Sequence, residues 1–168
     1  AGLGWLGFAL AALGTALMSV SPFFPGAEPV LNNYIPVLKQ PLFFAALWIF
    51  AAGSTLTVLR ALLTTWPPGL RAEPLRLGAF LGAVAAALAL LAFYWSAAAV
   101  PWIDAVLYYE VLFWGGGHAL QFQHSLLMIV AWLWIAAQLG QPWPLSPRAL
   151  AVLFWLAAVP LLAVPAIY

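Results

Sequence analysis

Both histidines of the chain fall in one run, Phe113-Trp114-Gly115-Gly116-Gly117-His118-Ala119-Leu120-Gln121-Phe122-Gln123-His124, at the mouth of a long apolar segment. A neutral imidazole is a good metal ligand and is costly to leave in an apolar setting. Metal chemistry, if the chain has any, would therefore run through His118. Three glycines, poor helix formers, precede it directly. They would permit close approach of a neighbouring helix, or of a large flat ligand, to the backbone. On a helix, Gln121, Phe122, Ser125, Met128 and Trp132 follow His118 along one face in steps of three and four. That face is more polar at its outer end than the rest of the segment and is expected to point into protein or a cavity.

His124 lies six residues further on. Six helical steps place it about 120° around the axis and roughly 9 Å along it, so one regular helix cannot easily offer both rings to one metal. The spacing is not the His-x-x-x-His of a helical zinc site. Each histidine has a plain alternative as a hydrogen-bonded packing residue. Glu110, at the outer edge of the same segment, is either a proton-path acid or an interfacial charge. Asn32, Asn33 and Tyr34 read as capping or turn residues, with ligand hydrogen bonding as the other option.

The elements that must position these residues are membrane helices. Of 168 residues, 67% are hydrophobic and 5% charged, against about a quarter charged in soluble domains. In lipid every backbone polar group needs an internal partner, which leaves helices or closed barrels. Barrel strands alternate apolar and polar residues, whereas these runs are apolar throughout. The expected fold is an all-α, polytopic membrane helix bundle in one domain over residues 1–168. Spans are expected near 3–20, 42–62, 77–98, 111–139 and 149–167, each long enough for a bilayer core. Between them stand Ser21-Pro22, Ile35-Pro36, Gln40-Pro41, Trp66-Pro67-Pro68-Gly69, Val100-Pro101 and Gln141-Pro142-Trp143-Pro144. Ser146-Pro147 has the form of an N-cap followed by a first-turn proline.

Arg60, Arg71 and Arg76 flank the second loop and Arg148 lies in the fourth, while the third holds Asp104 and Glu110. The positive-inside rule then makes the second and fourth loops cytoplasmic and puts His118 in the outer third of the membrane. Trp102, Tyr108, Tyr109, Phe113 and Trp114 gather at that boundary as an aromatic belt would. The absence of cysteine excludes disulfides, thiolate-held clusters and thiol nucleophiles. A net charge of +1 argues against nucleic acid. The opening Ala1-Gly2-Leu3 and the apolar close at Ala166-Ile167-Tyr168 lead to the expectation of a piece of a longer chain.

The run Tyr108-Tyr109-Glu110-Val111-Leu112-Phe113-Trp114-Gly115-Gly116-Gly117-His118-Ala119-Leu120-Gln121-Phe122 resembles the helix-six region of the haem–copper oxidase catalytic subunit I, closest to its divergent cbb-type-like branch. Leu31-Asn32-Asn33-Tyr34-Ile35-Pro36-Val37-Leu38 is similar to the loop between helices three and four of that branch. The five spans match helices three to seven in order and direction. The resemblance implies a twelve-helix-type subunit of a bacterial inner (cytoplasmic) membrane, with haem and copper as cofactors. It implies a cytochrome c oxidase-like oxidoreductase of the respiratory chain that reduces dioxygen to water, coupled to electron transfer and proton uptake. Cytochrome c or another electron donor, other oxidase subunits and the rest of the same subunit would be its partners, beside the lipid bilayer.

Under that resemblance His118 is a copper ligand and His124 a weaker metal candidate. Gly116, Gly117, Gln121 and Phe122 surround the haem or copper, Gln121 being a possible hydrogen-bond acceptor for His118, and Glu110 is a proton-path candidate. Phe122 stands where many relatives carry a tyrosine cross-linked to a neighbouring histidine. The family's paired histidines would fall past Tyr168, and its haem ligands lie on helices outside this stretch. Polar side chains for proton delivery are few: Ser54, Thr55, Thr57, Ser125, Gln138 and Gln141. Two alternatives stand beside this reading: nitric oxide reductase on the same scaffold, with non-haem iron and Glu110, and a non-catalytic membrane scaffold subunit.

Overall fold

The computed structural model describes residues 2–32, 36–66 and 73–167, with side chains to 164. Five helices among them are long and apolar enough to cross a membrane. They are α1 (Gly2–Val20), α2 (Pro41–Thr65), α3 (Pro74–Ala99), α4 (Ala105–Gln138) and α5 (Pro147–Ala158), the last prolonged by a 3₁₀ stretch, Val159–Ile167. The chain is an all-α, multi-pass membrane protein. Asn33, Tyr34, Arg71 and the Pro67-Pro68-Gly69 turn lie outside the described residues.

Side chains set most helix starts. The Gln40 side-chain oxygen accepts from Phe43 N at 3.0 Å and starts α2. Glu73 accepts from Leu75 N and Arg76 N at 3.1 and 3.0 Å and starts α3. Asp104 does the same for α4 through Val106 N and Leu107 N. As expected, Ser146 caps α5, accepting from Ala149 N at 3.3 Å, with Pro147 in the first turn. At the far end of α2, where helix carbonyls lack intrahelical partners, Arg76 donates to the carbonyls of Thr65 and Trp66 at 3.1 and 2.8 Å.

Two ends differ from the sequence expectation. The fourth helix begins at Ala105 rather than near Val111, because Asp104 supplies its cap. Glu110 is thus a half-buried helical residue and not part of a loop. The fifth loses α geometry after Ala158, where Pro160 and Pro165 have no N–H to donate and the chain tightens into 3₁₀ turns.

The residues group into two compact units. The first comprises residues 1–60 and 94–114. There α1 meets α2 backbone to backbone. A Cβ on Gly14 would stand 2.5 Å from Phe50 N and 2.7 Å from Ala46 O, and one on Gly53 would stand 2.7 Å from Gly7 O. Lipid gives helices no hydrophobic drive to associate, so close van der Waals approach across small residues takes that role. A short antiparallel hairpin, β1 (Glu28–Val30) and β2 (Val37–Lys39), interrupts the first loop, with Glu28 opposite Lys39 and Val30 opposite Val37. Val30 and Val37 are buried with Tyr109 among Phe43, Phe44, Tyr108 and Phe113.

The second unit comprises residues 61–93 and 115–168. Its core is built on α3, where Leu77, Leu81, Ala85, Ala89 and Ala92 recur at helical spacing. Ala119, Leu126 and Leu133 of α4 join them at seven-residue intervals, with Leu150, Ala151 and Phe154 of α5. Trp143 folds back to donate its indole N–H to Leu133 O at 3.2 Å.

Candidate functional site

The candidate site lies on α4 within the second unit. The helix runs without a break through Gly115, Gly116 and Gly117, all buried. At Gly116 the reason for glycine is direct: a Cβ there would run into the Phe93 ring of α3, with Cζ at 2.7 Å and the Cε1 and Cδ1 edge closer still. Of the two readings of the glycine run, close approach of a neighbouring helix is realised at Gly116 by an aromatic edge set against its backbone.

His118 follows half-buried, one step from the Ala119–Leu126–Leu133 stripe that enters the core. Its Nδ1 lies 3.2 Å from Oε1 of Gln121. The two groups are within hydrogen-bond distance, and which of them donates is set by the imidazole tautomer. Residues three apart on a helix are neighbours on its surface, which is why the pair can meet. Ser125 extends the line and donates its hydroxyl to Gln121 O at 2.9 Å.

On the His118 face, Gln121, Ser125, Met128 and Trp132 are exposed within this stretch. The cause is the stripe at 119, 126 and 133: α4 turns those positions to its neighbours in this unit. Phe122, at the edge of the face, is half-buried against the core cluster. His124 is exposed, about 120° around the helix from His118 by ideal geometry. Glu110 belongs to the first unit. Among the described residues, no three His, Cys, Asp or Glu side chains gather closely enough to hold a metal.

Two members of the sparse polar track bond locally. Thr55 and Thr57 donate their hydroxyls back to Ala51 O and Gly53 O of their own helix at 2.8 and 3.0 Å. Sequence reasoning missed Phe93, the ring that makes glycine necessary at 116. Its only signal was its place at the head of the Phe93-Tyr94-Trp95 run near the C-terminal end of an otherwise Ala- and Leu-rich helix.

Comparison with known proteins gives relatives without assigned function. No family model matches the chain, and no solved structure matches it. An uncharacterized protein of Rickettsia prowazekii (strain Madrid E) is 32% identical over 132 residues, covering 74% of this chain and 25% of the relative. An uncharacterized protein of Aquifex aeolicus (strain VF5) is 30% identical over 130 residues, covering 75% of this chain and 33% of the relative. The chain thus spans between a quarter and a third of the length of these curated relatives.

Proposed function

We propose that this chain forms part of the catalytic subunit of a terminal respiratory oxidase in a bacterial cytoplasmic membrane, with His118 as one copper ligand. The observation that carries the reading is the His118–Gln121 pair at 3.2 Å on a glycine-notched membrane helix. Metal-bound imidazoles need an acceptor for the second ring nitrogen, and Gln121 has that position. Both relatives are bacterial and much longer than the matched stretch, so they have room for further ligands beyond it.

The residues present fit one corner of a haem–copper centre. His118 offers an imidazole and Gln121 orients it. The other copper ligands and every haem ligand would come from outside this stretch, since the described residues gather no ligand set of their own. When bound, the metal pair would supply dioxygen binding and electron transfer to it. This chain's own residues do quieter work. Gly116 and Phe93 fix the distance between α3 and α4, and therefore the height and direction of His118. Phe122 and the Ala119–Leu126–Leu133 stripe keep water out of the side behind it. Cytochrome c or another donor, and further oxidase subunits, would be the partners.

The test is a visible spectrum of the purified intact complex, reduced and exposed to carbon monoxide, beside a His118→Ala variant, with copper assayed in both. A carbon-monoxide-sensitive haem whose neighbouring copper is lost in the variant is the expected result. A complex without haem, and a variant indistinguishable from the parent, would overturn the proposal. A scaffold subunit is the second reading, favoured by the lack of a complete ligand set among the described residues. That outcome is its signature.

A further inference from the structure

We infer that one exposed seam of α4, formed by Gln121, His124, Met128, Ala131, Ile135 and Gln138, seats a further membrane helix of the same polypeptide, from outside residues 1–168, which hydrogen-bonds the His124 ring. The six positions follow one another in alternating steps of three and four, the spacing at which one helix lies along another. All six are exposed. By ideal geometry His124 stands about 160° around the axis from Leu126 of the core stripe, so the seam is the face turned away from α3 and α5.

Depth makes lipid a poor cover for this seam. His124 lies about 28 Å along the axis from the first residue of α4 and about 21 Å from the last. A hydrocarbon core is about 30 Å thick, so a helix centred in it carries His124 well below either surface. The exposed hydroxyls of these helices are satisfied at home: Thr15, Ser19, Thr55 and Ser125 each donate to a carbonyl four residues back at 2.8–2.9 Å. The His124 ring has no such partner among the described residues. An imidazole left so in hydrocarbon is costly, and an interhelical hydrogen bond removes the cost.

The length of the relatives points to the source of that helix. The matched stretch is 25% of one and 33% of the other. A helix tethered to the same chain reaches the seam at a far higher effective concentration than a second copy or a separate subunit. It would bring a Ser, Thr, Asn or Gln side chain opposite His124 and apolar residues opposite Met128 and Ile135, with Ala131 allowing close approach. None of this depends on copper at His118, since a scaffold subunit needs the same cover.

Photo-crosslinking in native membranes tests the inference. The full-length protein carries benzoylphenylalanine in place of Met128 or, in a second variant, of Ile135. The expected product keeps the mass of one chain, and mass spectrometry joins the seam to a peptide outside residues 1–168. A product of doubled mass, a second protein joined to the chain, a peptide from within residues 1–168, or lipid adducts alone would each overturn it. His124→Leu gives a second reading. With a hydrogen-bonding helix on the seam, the folding equilibrium constant in mixed micelles should fall about three- to tenfold. On a lipid-covered seam it would hold or rise, which sinks the hydrogen bond. Neither readout involves a metal, so loss of the oxidase reading would leave the seam and its helix standing.

Discussion

At Gly116 a single hydrogen atom decides how two helices meet. Its missing Cβ is the space filled by the Phe93 ring. Gly116→Ala should therefore destabilise the protein by about 1–3 kcal/mol, the usual cost of overpacking. Because the obstacle is a side chain, Phe93→Ala should relieve it, and the double variant should cost less than the two singles together. Reversible unfolding in mixed micelles measures all four corners of the cycle. Strict additivity would mean that the ring and the glycine do not meet. Gly53→Ala is a sharper case, since its Cβ would meet backbone, Gly7 O at 2.7 Å, which cannot swing away. It should cost more than Gly116→Ala, and no side-chain truncation should rescue it. The sequence made His118 and its three glycines conspicuous, because polar and helix-weakening residues are rare in an apolar run. Their partners were not legible. Phe93 belongs to a different helix, and no local pattern says which ring will lie over which glycine.

Helix positions were legible from apolar length, and helix ends only where the cap was recognised. Ser146-Pro147 has the form of a helix start and is one. Asp104 reads in the sequence as a loop charge, yet it opens α4 by accepting from two backbone N–H groups. The short hairpin escaped because its three-residue strands contain a proline and carry no alternation long enough to stand out. Ser146→Ala should cost about 1 kcal/mol, and Asp104→Ala somewhat more, within the usual range for lost N-caps. Amide hydrogen exchange at the first turns of α5 and α4 would register each loss locally. Equal protection in variant and parent would remove the caps from the account. Arg76 allows a cleaner separation of charge from geometry. Its guanidinium reaches two carbonyls at the end of α2, at 3.1 and 2.8 Å. Lysine keeps the positive charge but lacks the planar fork. Arg76→Lys should therefore leave membrane orientation intact while lowering stability by about 1 kcal/mol. An inverted orientation would show that more than the sign of the charge at position 76 sets topology.

The chain as a whole presents lipid-like surfaces: Trp5, Phe8, Trp48, Trp95 and Leu162 are each well over half exposed. Against that background the exposed Gln121, His124 and Ser125, and Gln138 at the helix end, are the exception on α4. Intramembrane polar groups are costly in hydrocarbon and usually face protein or water. Whether they lie in the outer or inner half depends on how the helices are inserted, and that was read from arginines alone. Within the first unit the structure adds a consistent feature. Gly4 near the start of α1 lies against the Arg60 side chain near the end of α2, a Cβ there being 2.9 Å from Nε, so these two ends share one side. Under the positive-inside rule that side is expected in the cytoplasm. With no native cysteine in this stretch to label, single cysteines at exposed loop positions give the answer. Leu31→Cys and Ile103→Cys should react with an impermeant maleimide applied from outside to intact cells. Leu145→Cys should react only after the membrane is opened. The reverse pattern would turn α4 over, carry His118 to the inner half of the bilayer, and remove the topological match on which the likeness to helix six depends.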